Sequence, residues 1–109
     1  MTTLLAVLLS LRLMGIPATV SVFSVSAYIN SGGAYPYQGL MTSGQYTREG
    51  VCACGPSYPF GTMLLVNAKW YICMDQGSMI TDGHVDLWMP TKAEALMWGR
   101  RTMLVVVVK

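Results

Sequence analysis

One hundred and nine residues (11.9 kDa) are enough for a single hydrophobic core and too few for a second independent one, which excludes a two-domain enzyme. Hydrophobic residues make up 53% and charged residues 11%, with a mean hydropathy of +0.47, which excludes disorder. The net charge of +2 comes from scattered basic residues (Arg12, Arg48, Lys69, Lys92, Arg100, Arg101, Lys109), so no nucleic-acid partner is expected, and Ser10 and Arg12 interrupt the longest apolar run before it reaches the roughly 18 to 20 residues of a membrane span.

Residues 1–19 are a leucine-rich segment followed by Gly15, Pro17 and Ala18, the outline of an export signal, although Arg12 lies inside the apolar stretch and no basic residue precedes it. We read the segment either as a retained export or anchor element, or as one that hides apolar area against a neighbouring subunit in a homo-oligomer or larger assembly. The domain proper then occupies residues 20–109. Val20 to Asn30 reads as a strand with Val20 and Val22 on one phase and Phe23, Val25 and Ala27 on the other, and the phase slip predicts a bulge. Residues 30–62 are dense in Gly, Pro, Ser, Thr and Tyr and read as loops and short strands, with a brief strand at Cys52 to Cys54 before the Gly55-Pro56 turn. Thr62 to Asn67 and Trp70 to Met74 read as a hairpin around Ala68 and Lys69. Thr91 followed by Glu94 is a capping box that opens a short helix over 91–98, and Gly99 is placed to close it in the αL conformation. The final run from Thr102 to Val108 is continuously apolar and β-branched, as in a strand buried on both faces or by assembly. The fold class is therefore mainly β with one short helix and an N-terminal apolar segment.

The three cysteines, Cys52, Cys54 and Cys73, are an odd count, so at least one is free, metal-bound or bonded to another chain. Tetrahedral zinc needs four ligands, and the only histidine, His84, would have to complete an unmotivated set of three thiolates, so neither a metal nor another cofactor is expected. In an oxidising compartment one bridge joins Cys73 to either Cys52 or Cys54.

Of the five carboxylates, Asp75, Asp82 and Asp86 fall within twelve residues, while Glu94 is taken up by the helix cap. Asp82, before Gly83, reads as a turn residue. Asp75 ends a predicted strand, and Asp86 sits between Val85 and Leu87 in a second one. A carboxyl with apolar neighbours on both sides is partly desolvated, which raises its pKa and lets it carry a proton as a general acid.

Tyr58-Pro59-Phe60-Gly61-Thr62, Asp75-Gln76-Gly77-Ser78-Met79-Ile80, Gly83-His84-Val85-Asp86-Leu87, Glu94-Ala95 and Trp98-Gly99-Arg100-Arg101 follow one another ahead of a closing valine strand. In this order they resemble the three-aspartate (3D) domain family, known from the catalytic domain of membrane-bound lytic transglycosylase A and from cell-wall-associated relatives of resuscitation-promoting factors. The resemblance runs from about Val20 to Val108. It implies a small six-stranded double-psi β-barrel and an aspartate of the Val-Asp motif that acts as acid and base on a glycan strand. Carried over, that residue is Asp86, and the second family aspartate falls on Asp75. The first falls on Gly55, which has no carboxylate, and the threonine after the second is replaced by Gln76.

The resemblance further implies peptidoglycan, or another glycan strand, as partner. Tyr58, Trp70 and Trp88 are candidate stacking surfaces for sugar rings, and Thr62 a polar contact of the same groove. Arg100 is a candidate for the lactyl or peptide carboxylates, with the helix C-terminus as its structural alternative. The expected location is extracellular, in the cell envelope or on a virion. A barrel that keeps the fold without turnover, as a structural or glycan-binding subunit, is the competing reading.

Overall fold

A computed structural model describes residues 2–30, 39–77 and 79–109, with Thr2 and Thr3 described by their backbone alone. Met1, Ser78 of the family-like motif and residues 31–38 of the stretch read as loop lie outside the described residues. The described elements are α1 (Thr2–Leu13), β1 (Ala18–Tyr28), β2 (Val51–Ala53), β3 (Met63–Val66), β4 (Lys69–Asp75), β5 (His84–Trp88), α2 (Lys92–Trp98) and β6 (Arg101–Val108).

The strands close into a barrel in the order β1-β5-β2-β4-β3-β6, with β6 returning to β1. The pairs β1·β5 and β2·β4 are parallel and the other four antiparallel. This closed, mixed, six-stranded architecture is consistent with a double-psi barrel, as the sequence led us to expect. Strand alternation fills the interior: Phe23, Val25, Leu64, Val66, Val85, Leu87, Val105 and Val107 point inward with Cys52, Cys54, Tyr71 and Cys73.

The apolar run of β6 is buried on both faces. Val105 and Val107 face the interior, while Val106 and Val108 join Ala18, Val20 and Leu65 on an outer face that Leu4, Val7, Leu8 and Leu11 of α1 cover. The N-terminal segment is thus packed against its own barrel. Among the described residues no helix is long and apolar enough to cross a membrane.

The bulge expected at Val22 and Phe23 is absent, because β1 pairs with β6 in one unbroken register from Ala18↔Val108 to Val25↔Arg101. Two apolar faces on one strand produced the apparent slip: Phe23 and Val25 point inward, and Val20 points outward toward α1. The hairpin between β3 and β4 closes at Val66↔Lys69 through Asn67 and Ala68, both at positive φ (50° and 64°), the requirement of a two-residue type I′ turn.

Helix α2 begins as read. Thr91 is extended, and its hydroxyl accepts from the Glu94 backbone N–H at 3.2 Å while donating to the Glu94 carboxylate at 3.0 Å. The Glu94 side chain therefore takes the cap's hydroxyl. At the C-terminus Gly99 has the expected positive φ (66°), but its ψ of −134° lies outside the αL region, and its N–H donates to the Ala95 carbonyl at 3.1 Å. The disulfide joins Cys54 to Cys73, leaving Cys52 as a buried free thiol whose sulfur lies 3.6 Å from Cys54 Sγ. Burial, with a further contribution from the Asp86 charge, pushes that thiol far above the ordinary cysteine range, so it behaves as a small hydrophobe.

Candidate active site

The parallel pairing of β1 with β5 sets Ser24 beside His84, Ser26 beside Asp86 and Tyr28 beside Trp88. These polar side chains alternate with inward Phe23, Val25, Val85 and Leu87, so they lie outside the barrel wall. On the other side of β5, Asp86 stands opposite Ala53 of β2, and Ala53 in turn stands opposite Asp75 at the end of β4. Two strand pairings thereby bring together two aspartates separated by eleven positions of sequence. They share a cavity of about 270 Å3 whose wall also includes Tyr28, Ala53, Gln76 and Ile80.

The two carboxyls have different surroundings. Asp75 is heavily hydrogen-bonded. Its Oδ2 accepts from the Tyr28 hydroxyl at 3.0 Å, and its Oδ1 accepts from the backbone N–H of Thr42 and of Gln76, each at 3.0 Å, and from the Thr42 hydroxyl at 3.2 Å. The loop that delivers Thr42 is pinned by Met41, buried against Val51, Met74 and Trp88, and by the Ser43 N–H bonded to the Met74 carbonyl at 3.2 Å. Tyr28 pays for this arrangement in acidity: burial first, then the charge and hydrogen bond of Asp75, raise its hydroxyl far above the ordinary tyrosine range, so it stays a neutral donor.

Asp86 accepts one side-chain hydrogen bond, from the Ser26 hydroxyl at 3.0 Å. Its pKa is raised, mainly by desolvation and with a smaller contribution from the Asp75 charge, against the opposing effects of Ser26, His84 and Arg100. Ser26 Oγ also lies 2.6 Å from His84 Nε2, and Nη2 of Arg100 lies 3.4 Å from the same nitrogen. The His84 pKa is lowered by burial and by the Arg100 charge, with Asp86 acting in the opposite direction.

The other sequence candidates lie elsewhere. Thr62 is buried, and its hydroxyl donates to the Pro59 carbonyl at 2.7 Å, fixing the turn ahead of β3. Trp88 is buried beside Met41 and Val51, with its Nε1–H donating to Asn30 Oδ1 at 3.3 Å. Tyr58 packs against Phe23, ring centroids 5.9 Å apart, under the Lys109 ammonium. Trp70 is on the outer face of β4 opposite Leu65. None of these four is on the wall of the aspartate cavity. The two arginines part company: Arg100 turns to His84, whereas Arg101 stacks 4.0 Å over Trp98 and donates to the Trp98 carbonyl at the helix C-terminus.

Sequence reasoning missed Ser26, Tyr28 and Thr42. For the first two a signal existed, since Ser24, Ser26 and Tyr28 form a polar phase along a strand whose other phase is Phe23, Val25 and Ala27. Thr42 had none.

Gly55 explains itself sterically. A Cβ placed there would lie 2.5 Å from the backbone N and Cα of Asp82 and from its Oδ1, so any side chain requires the Asp82 turn to move. Asp82 is anchored to Ser57, accepting from its N–H at 2.9 Å and from its hydroxyl at 2.5 Å, which lowers its pKa. It does not line the cavity that Asp75 and Asp86 share.

No curated protein matches the chain. A family model, 3D domain, matches residues 51–109, from β2 through the Asp75 and Asp86 strands to the closing strand β6. That match spans more than half of the sequence, and the chain belongs to the 3D domain family.

Proposed function

We propose that the Asp75–Asp86 cavity cleaves the glycan strand of peptidoglycan at the MurNAc–GlcNAc bond as a lytic transglycosylase, with Asp86 as acid and then base. The family is lytic-transglycosylase-like in general. The observation that carries the reading for this chain is the unequal environment of two carboxyls on one cavity: Asp86 is desolvated, and Asp75 is locked by donors. Hydrolysis of a glycoside ordinarily needs one carboxyl to protonate the leaving oxygen and another to activate water or attack the sugar. In the lytic reaction the muramic acid's own C6 hydroxyl attacks the anomeric carbon, giving a 1,6-anhydro product. Asp86 gives its proton to the departing glycosidic oxygen and takes one back from the C6 hydroxyl, so a single residue closes the proton cycle. The Asp75 carboxylate, fixed by Tyr28 and Thr42, supplies negative charge toward the positive charge that develops on the ring. The Cys54–Cys73 bridge supports an oxidising location, whether outside the cell, in its envelope or on a virion.

Gly55, in place of the first family aspartate, favours a second reading: a glycan-binding or structural barrel without turnover. Incubation of the protein with purified sacculi, followed by mass analysis of the released muropeptides, separates the two. Wild type is expected to release anhydro-muropeptides, and Asp86→Asn to reduce release by at least about a hundredfold. Sacculi left intact by wild type, or cleaved equally by both proteins, would overturn the lytic assignment.

A further inference from the structure

Arg100, His84, Ser26 and Asp86 form one continuous chain of polar contacts, at 3.4, 2.6 and 3.0 Å in turn. It is assembled from β1, β5 and the residue after Gly99, so no single segment of sequence contains it. Ser26 has one proton and two partners. When it donates to Asp86 Oδ1, its oxygen accepts from a protonated His84 Nε2; when it donates to His84 Nε2, its oxygen accepts from a protonated Asp86. The serine fits both arrangements, and they differ in whether the proton of the relay sits on His84 Nε2 or on Asp86.

We propose that His84, acting through Ser26, is a positioning residue that shares one proton with Asp86 and thereby sets the pH range in which Asp86 is an acid. This rests on the assignment of Asp86 as the acid and deepens it. The transfer balances without any co-reactant. The Asp86 O–H bond breaks as an O–H bond forms on Ser26, whose own proton moves to His84 Nε2. The net result is one proton moved and a neutral pair converted to an ion pair. The groups facing the histidine act in opposite senses. Arg100 disfavours an imidazolium and returns the proton to Asp86, whereas an ionised Asp86 favours it. Asp75 also faces Asp86 across the cavity and holds the proton on it, while the Tyr28 and Cys52 groups nearby remain neutral. Such a pair titrates in two coupled steps that belong to neither residue alone.

The chain has a single histidine, so its imidazole signals in NMR are unambiguous. The test is a pH titration of those signals in full-length wild type, Ser26→Ala, Ser26→Thr and Asp86→Asn, alongside the pH profile of muropeptide release from sacculi. In wild type the imidazole is expected to report two inflections. Ser26→Ala and Asp86→Asn should each leave one, and Ser26→Thr, which restores a hydroxyl, should restore the second. The acid-to-neutral limb of release should move by roughly half a pH unit or more in Ser26→Ala and return in Ser26→Thr. An imidazole that titrates in a single step with the same midpoint in all four proteins overturns the shared proton, whatever the sacculi show. Coupled inflections without release from wild type would retain the relay and reject the lytic assignment instead.

Discussion

At the scale of single residues, Asp86, the acid of the proposed reaction, is a group that the fold disfavours when ionised. Desolvation raises the Asp86 pKa, so the folded protein holds this proton more tightly than the unfolded chain does. Its contribution therefore runs opposite to that of an ordinary ion-paired aspartate. There is no penalty below the unfolded carboxyl range, a growing one as pH rises through the raised folded value, and a constant one above it. Asp86→Asn removes the penalty while keeping a hydrogen-bonding group opposite Ser26. Its thermal unfolding midpoint is expected to match wild type near pH 3 and to exceed it near pH 7. Asp86 is partly open to water, so screening limits the difference to about 1 kcal/mol or less. Midpoints that differ by the same amount at both pH values would show that the effect is packing rather than ionisation. Gly55 is a second case in which a single position decides the site. Its hydrogen is the only group that fits against the Asp82 turn, so the local fold excludes a carboxylate at the position that the resemblance aligns with the first family aspartate.

At the scale of elements, what holds the site together is strand pairing between distant segments. The Cys54–Cys73 bridge lies just behind it, tying the residue after β2 to β4 beside the Ala53↔Asp75 pair. The bridge spans 19 residues, so in the chain-entropy account it removes enough unfolded-state freedom to stabilise the protein by about 3 kcal/mol. The double variant Cys54→Ala, Cys73→Ala is expected to unfold at correspondingly lower denaturant concentration. An unchanged midpoint would mean that the barrel's interior packing alone fixes these strands. The elements themselves were legible wherever the signal was local. The hydroxyl and carboxyl of Thr91 and Glu94 announced α2, and the β-rich runs around Ala68 and Lys69 announced the hairpin. The two aspartates were legible because each sits in a short strand with recognisable flanks. What was not legible depends on non-local pairing. Nothing near Ser26 or Tyr28 indicates that β1 runs parallel to β5, and Thr42 reaches Asp75 only because Met41 is buried 33 positions away from Met74. The choice between Cys52 and Cys54 was hidden for a related reason. Both sulfurs point into the same interior, and Cys52 is the register partner of Cys73 although the bridge is made by Cys54, so the strand pattern does not distinguish them.

At the scale of the whole molecule, the high apolar content raised the question of what covers it, and much of the answer is the chain's own first helix. Leu4, Val7, Leu8 and Leu11 lie over Ala18, Leu65 and Val106, so the outer faces of β1, β3 and β6 are closed as a core is. The opposite side of α1 presents Leu5, Leu9 and Leu13, exposed to 57%, 53% and 88%, which makes the helix apolar on both sides while only one side bears on the barrel. Substitutions on the two sides should therefore separate. Leu8→Ala opens a gap in a packed face and is expected to lower stability by about 2 kcal/mol. Leu5→Lys with Leu9→Lys changes residues already in water and is expected to alter it by no more than about 0.5 kcal/mol. Removal of residues 1–14 strips the cover from the Val106 face entirely, and the truncated barrel is expected to self-associate with rising concentration in light scattering. A truncated barrel that stays monomeric and as stable as the full chain would mean that α1 contributes nothing to the core it covers. In that case the apolar side facing the barrel would need the same explanation as the side facing solvent.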